Sequence, residues 1–160
     1  MTKWKIGLLG GVAIMLFAVS APVLLHAAED AMTTIAKRRA LMRAQGGHMG
    51  AINDFVEKGI GDANAVAAHA MGIVATSRVI VSLFPQGTGM DAFEGKTGAK
   101  PDIWKDWDKF QAAAMRVEQE SLKLFEVAQS GDKQKIADQF GALGKDGCGG
   151  CHTPFRQKLE

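Results

Sequence analysis

The sequence predicts an all-α protein, an antiparallel four-helix bundle. Three observations point there. Every substantial segment beyond the N-terminal run repeats its apolar residues at steps of three and four. No segment alternates in the two-residue period of a half-buried strand. Breaks rich in glycine, proline and aspartate separate four such segments.

The first helix is expected over about Ala31 to Lys58, with Ile35, Arg38, Met42, Gln45, Met49, Ile52 and Val56 inward. Gly46-Gly47 weakens its middle and leaves room for something bulky to approach. After Gly59-Ile60-Gly61, Asp62 reads as an N-cap. The second helix, about Ala63 to Phe84, turns Val66, Ala70, Ile73, Ser77, Ile80 and Phe84 inward. Pro85 ends it.

A glycine-rich loop to Pro101 follows, long enough to cross an end of the bundle or cover a ligand. With Asp102 as N-cap, the third helix places Ile103, Trp107, Phe110, Ala114, Val117, Ser121, Leu124 and Ala128 inward. Ser130-Gly131-Asp132 is a tight turn, so the fourth helix, about Lys133 to Lys158, runs back antiparallel. Its inward face is Ile136, Phe140, Leu143 or Gly144, Cys148, Cys151 and Phe155. Gly147, Gly149 and Gly150 are expected to clear space beside whatever that face holds. Met49, Met71 and Met115 read as core, Trp104 and Trp107 as helix-packing residues, and His48 and His69 as surface or half-buried side chains.

The chemistry concentrates in Cys148-Gly149-Gly150-Cys151-His152. This is C-x-x-C-H, the pattern for covalent haem attachment: two thiols add to the two vinyl groups and the histidine ligates iron. On a helix, positions i, i+3 and i+4 share a face, so all three side chains can grip one flat ligand. Rival readings are weaker. A structural zinc site needs four ligands, and these are the chain's two cysteines. A redox C-x-x-C belongs beside a βαβ pattern. A disulfide spanning i to i+3 within a helix is strained and leaves His152 unexplained.

Lys3 and Lys5, an apolar run from Ile6 to Leu25 and the small residues of Leu25-His26-Ala27-Ala28 form a secretory signal. The expected division is a leader over 1–27 and the bundle over 28–160. The run is also long enough to span a bilayer as an uncleaved anchor; its Gly7, Gly10, Gly11 and Pro22 favour cleavage. Without Lys3 and Lys5, the 19 basic side chains fall to 17, matching the 17 acidic ones. A neutral mature chain does not suit nucleic acid. Export to the periplasm suits thiols destined for thioether bonds.

These features in order resemble the class II cytochromes c, the family of cytochrome c′ and its low-spin relatives. The C-x-x-C-H motif stands near the C-terminus. The ordered set includes Arg38-Arg39-Ala40-Leu41-Met42, Leu83-Phe84-Pro85, Lys100-Pro101-Asp102-Ile103-Trp104, and Phe140-Gly141-Ala142-Leu143-Gly144-Lys145 before the motif, with Phe155-Arg156 after it. The resemblance implies one haem c in the core near the C-terminal helix, with Cys148 and Cys151 as thioethers and His152 as proximal ligand. Arg38 and Met42 fall on the distal side, and Arg39, Phe84 and Arg156 belong to the haem surroundings. A buried Arg38 needs a partner, and a haem propionate suits a guanidinium.

Met42 has two readings. As a sixth iron ligand it makes a one-electron carrier serving redox partner proteins. As a packing residue over open iron it makes a binder of nitric oxide or carbon monoxide. Acid–base and nucleophile constellations of an enzyme are not evident elsewhere. The family also forms homodimers through the first two helices, and Ile60 and Val74 stand off the main stripes.

Overall fold

The structure, a computed structural model, describes residues 21–159 and the side chains of residues 29–159. Its elements are α1 (Ala21–Asn53), α2 (Ala63–Ser77), the short α3 (Asp102–Lys105), α4 (Trp107–Ala128), α5 (Lys133–Ala142) and α6 (Gly150–Phe155). A π-helical segment over Leu143–Gly149 joins α5 to α6, and another over Asp54–Lys58 extends α1. The result is an antiparallel four-helix bundle of α1, α2, α3–α4 and α5–α6. Helix α4 packs on α2 along one side and on α5, the π segment and α6 along the other. Among the described residues the sole β pairing is an isolated bridge between Ala99 and Arg156.

The core is two apolar groups stacked along the bundle. One joins Ile52, Val66, Ala70, Ile73, Val117, Leu124, Ala128, Ile136 and Leu143. Ile73, Leu124, Ile136 and Leu143 are fully inaccessible, each worth roughly 1.5–3 kcal/mol of burial. The other joins Ile80, Phe84, Ala99, Ile103, Phe110, Ala114 and Phe155. Phe110 is its centre, meeting Phe84 and Phe155 edge-on at ring-centroid distances of 4.7 and 5.5 Å, a favoured aromatic geometry.

The expected inward stripes hold in all four helices, but the helix boundaries differ. Helix α1 is already helical at Ala21, the first described residue, ten residues before the expected start. It therefore runs through the expected cleavage site at Ala27 or Ala28. The expected leader's first twenty residues lie outside the described residues.

The second helix stops at Ser77 rather than Phe84. There the Ser77 hydroxyl donates to the Val74 carbonyl and Thr76 donates to Gly72 and Ile73, bonds that compete with the helical ladder. Tighter i to i+3 bonds then carry the chain through Ile80, Leu83 and Phe84. Those turns keep Ile80 and Phe84 pointing inward.

The third helix breaks at Asp106 (φ −115°, ψ 48°). Asp102 is not its N-cap. Pro101 holds that position, and Asp102 sits in the first turn beside Lys100 and Lys105, where a carboxylate suits the helix dipole. Asp62 does cap α2, accepting from Ala65 N at 2.8 Å. Asp132 caps α5 in the same way.

Several expectations about small and apolar residues are corrected. Gly46 and Gly47 are exposed, and a Cβ at either would meet open space. Gly147 is buried against α4: a Cβ there would lie 3.0 Å from Leu143 Cδ1 and 3.5 Å from Val117 Cα. It serves helix packing, not a ligand face, and Gly150 faces open space. Met71 and Met115 are exposed, whereas Met49 packs on the first core group. Val74 is buried within the bundle and is not available on its surface; Ile60 is exposed.

Candidate functional site

A cavity of about 510 Å³ opens at the second core group, where α1, the turn after α2, the 85–101 loop and α6 converge. Its floor is apolar, from Ile80, Phe84, Ile103, Phe110 and Phe155. Met42 on α1 and Cys151 and His152 on α6 contribute sulfur and imidazole. Five cations, Arg38, Arg39, Arg43, Arg156 and Lys158, line it, and no carboxylate does so among the described residues.

Of the residues singled out in the sequence, Arg38, Arg39, Met42, Phe84, Cys151, His152 and Arg156 all line the cavity. Cys148 does not. It lies in the π segment, packed on the first core group, whereas Cys151 packs on the second. The three motif residues therefore do not sit on one uniform α-helix. The π segment is wider than an α-helix, and the glycines at 141, 144, 147, 149 and 150 lower the local preference for regular helix.

The two cysteines are not joined in a disulfide. Burial raises the Cys148 thiol above its ordinary pKa and lifts Cys151 to about 11, where its neighbour Cys148 also contributes. Ahead of haem attachment each is thus a neutral thiol at neutral pH. Burial first, then the nearby Arg156 charge, hold the His152 imidazole below its ordinary value. A neutral imidazole keeps a lone pair for a metal ion.

Arg38 is 4% exposed. Its partners are neutral oxygens of the 85–101 loop and of the turn that precedes it. One guanidinium nitrogen donates to Thr88 Oγ1 at 3.3 Å and Leu83 O at 3.4 Å. The other donates to Thr88 O at 2.8 Å and Thr97 Oγ1 at 2.9 Å. Its carbon lies 4.4 Å from the Phe84 ring centroid, a cation–π contact. Burial lowers its pKa to about 10, which leaves it charged at neutral pH.

Arg38 therefore pins the loop to α1. The loop in turn pins the C-terminal segment: Gln157 N donates to Gly98 O at 2.8 Å and Lys100 N to Phe155 O at 3.0 Å. Gly98 has no alternative, since a Cβ would run into the Gln157 carbonyl. Thr97, Gly98 and Ala99 of the loop form part of the cavity wall. Sequence reasoning did not find Thr88 and Thr97, both buried. The signal was available: a buried arginine must find acceptors, and two threonines stand in the loop beside it. Arg43 was missed because its side chain stands off the apolar stripe.

The donor set and the walls suit a haem c. The cavity size is that of a ligand pocket, the floor is apolar and the rim is cationic, as a flat macrocycle with two carboxylates requires. Thiol and imidazole approach from one wall.

Comparison with known proteins agrees. The family model for cytochrome c′ matches residues 33–156. A cytochrome c′ from Rhodospirillum rubrum is 32% identical over 81% of this chain and 85% of its own. A cytochrome c-556 from Agrobacterium fabrum is 30% identical over 91% of this chain and 93% of its own. The solved cytochrome c′ from Rhodobacter spheriodes is 30% identical, with a TM-score of 0.71 over 80% of this chain and 98% of that one. This chain accordingly belongs to the class II cytochromes c, the cytochrome c′ family, and its cofactor is a single covalently bound haem c.

Proposed function

We propose that the protein is a periplasmic one-electron carrier with Cys148 and Cys151 as the haem thioethers, His152 as the proximal iron ligand and Met42 as the sixth ligand. The haem supplies a reversible ferric–ferrous couple. What the chain supplies is placement. Cys151 and His152 reach the cavity from α6, and Met42 enters it from α1; this shared cavity is the observation that carries the reading. Met42 is half-buried and packs on the second core group, so its position is fixed by the bundle and little reorganisation accompanies a change of charge. Arg38 holds a positive charge at the cavity wall, and Arg39 and Arg156 stand at its rim where haem carboxylates would meet them. Phe84 screens the site from water. Residues 1–27 act as the export leader.

A second reading is favoured by the relatives. Most are cytochromes c′, and a solved one from Alcaligenes xylosoxidans, 25% identical with a TM-score of 0.67, is a nitric oxide complex of a variant. In that reading Met42 packs over open iron and the protein binds nitric oxide or carbon monoxide.

Carbon monoxide titration of the ferrous holoprotein separates the two. The first reading expects weak, slow binding by the wild type and a gain of at least about tenfold in Met42→Ala, because the competing sulfur is gone. Fast, tight binding by the wild type, unchanged in Met42→Ala, establishes the second.

A further inference from the structure

The seam between α1 and α2 carries a feature the haem site does not use. His48 on α1 and His69 on α2 place their Nδ1 atoms 3.0 Å apart, with ring centroids at 5.3 Å and planes tilted by 53°. Both rings are half-buried and therefore within reach of a solvent ion. The pair is built rather than incidental. The His48 ring lies against the α2 backbone at Gly72, where a Cβ would come within 2.5 Å of both Cε1 and Nε2. Only glycine at 72 admits the ring in this position. Next to it, Gln45 on α1 donates to Thr76 on α2 at 3.2 Å, fixing the two helices in register.

We propose that His48 and His69 bind one divalent transition-metal ion of the zinc, nickel and copper group through their Nδ1 atoms, with water completing its coordination. The geometry points there. Two nitrogens each about 2.0–2.1 Å from zinc stand about 2.9 Å apart at a right angle and about 3.3 Å apart at a tetrahedral angle. The observed separation falls inside that interval, and turning each lone pair by roughly 35–45° from the Nδ1···Nδ1 line aims both at the ion.

Burial and the neighbouring His69 hold His48 below its ordinary pKa, so a lone pair is available at neutral pH. The proton shared between the two Nδ1 atoms passes to its own ring's Nε2 through solvent. Both rings then ligate as neutral imidazoles and no net proton is released. Imidazole pairs favour this group of ions over magnesium or calcium, which prefer oxygen.

The test is calorimetric titration of Zn²⁺ into the ferric holoprotein lacking the leader. Zinc has no redox chemistry to disturb the haem. The chain has four histidines. His26 leaves with the leader and His152 faces the haem cavity, so His48 and His69 are the free imidazoles. The expected result is one Zn²⁺ per chain, a rise in thermal midpoint with Zn²⁺, and affinity about a hundredfold weaker in either His48→Ala or His69→Gln, as loss of a chelate partner requires. Each variant's unchanged haem spectrum shows that it is folded. Absence of wild-type binding would make the pair a plain interhelical hydrogen bond and overturn the proposal. Equal Zn²⁺ affinity in the wild type and both variants would overturn it too, by placing the ion elsewhere.

Discussion

Arg38 and its loop show how a single residue couples the parts of the site. Its guanidinium makes four contacts with Leu83, Thr88 and Thr97 and covers the Phe84 ring. Hydrogen bonds to a charged group are worth about 1.5–3 kcal/mol each, and a buried acceptor left without a donor costs about 1–3 kcal/mol. Arg38→Leu should therefore lower stability by roughly 3 kcal/mol, read by denaturant unfolding of the holoprotein. The haem midpoint potential should fall, because loss of a nearby positive charge favours ferric iron. A variant with both quantities unchanged would show that the guanidinium neither holds the loop nor acts on the haem. The sequence located Arg38 correctly as an inward cation, since it stands on an apolar stripe. It did not disclose the neutral partners, because hydroxyls and carbonyls 45 to 59 residues away carry no periodic signal.

Between elements, the buried Glu120 of α4 does comparable work at the other end of the bundle. It accepts from Gln139 of α5 at 2.8 Å and from Lys123 at 2.9 Å, with Arg116 at 3.7 Å. The hydrogen bond from Lys123, then that from Gln139, hold its carboxyl below the ordinary 4.5. A carboxylate whose folded pKa is depressed contributes stability above its unfolded pKa and loses it as the pH falls through the folded value. Glu120→Gln should cost about 1.5–3 kcal/mol near pH 7, measured by urea unfolding, and the gap should close progressively below about pH 4.5. A gap independent of pH would mean that the charge of Glu120 is not what joins α4 to α5.

Helix interiors were legible from periodicity: Ile73, Phe110, Leu124 and Ile136 were all placed inward from spacing alone. The starts of α2 at Ala63 and of α5 at Lys133 were legible too, but the stops and interruptions were not. The stop at Ser77 depends on hydroxyl back-bonding, the break at Asp106 on a local backbone change, and the π segment on how a glycine-rich stretch wraps against α4. None of these alters the apolar spacing that the sequence displays.

Across the whole molecule, the bundle divides its labour along its length. The first core group is close-packed and supplies stability. The second surrounds the cavity with Phe84, Phe110 and Phe155. The motif bridges the two, with Cys148 on one group and Cys151 on the other. The motif and its place near the chain end made the cofactor readable at once. Cys148 packs on the first core group, and the π segment that carries it leaves no mark in the apolar spacing.

Intact-mass measurement of the exported protein should give the mass of residues 28–160 plus one haem. Cys151→Ala should leave at most one thioether, so acid acetone should extract more haem. A mass that retains residues 1–27 would instead describe an anchored protein. Among the described residues no helix is long and apolar enough to cross a membrane.

The proposed ligation has Met42 and His152 closing the iron from both sides, and the optical and near-infrared spectrum of the ferric holoprotein reads that out. Low-spin iron with a methionine–iron charge-transfer band is expected in the wild type, and conversion to high-spin iron in Met42→Ala. A wild-type protein that is already high-spin, with a spectrum unaltered by Met42→Ala, would contradict it and leave the sulfur as packing over open iron.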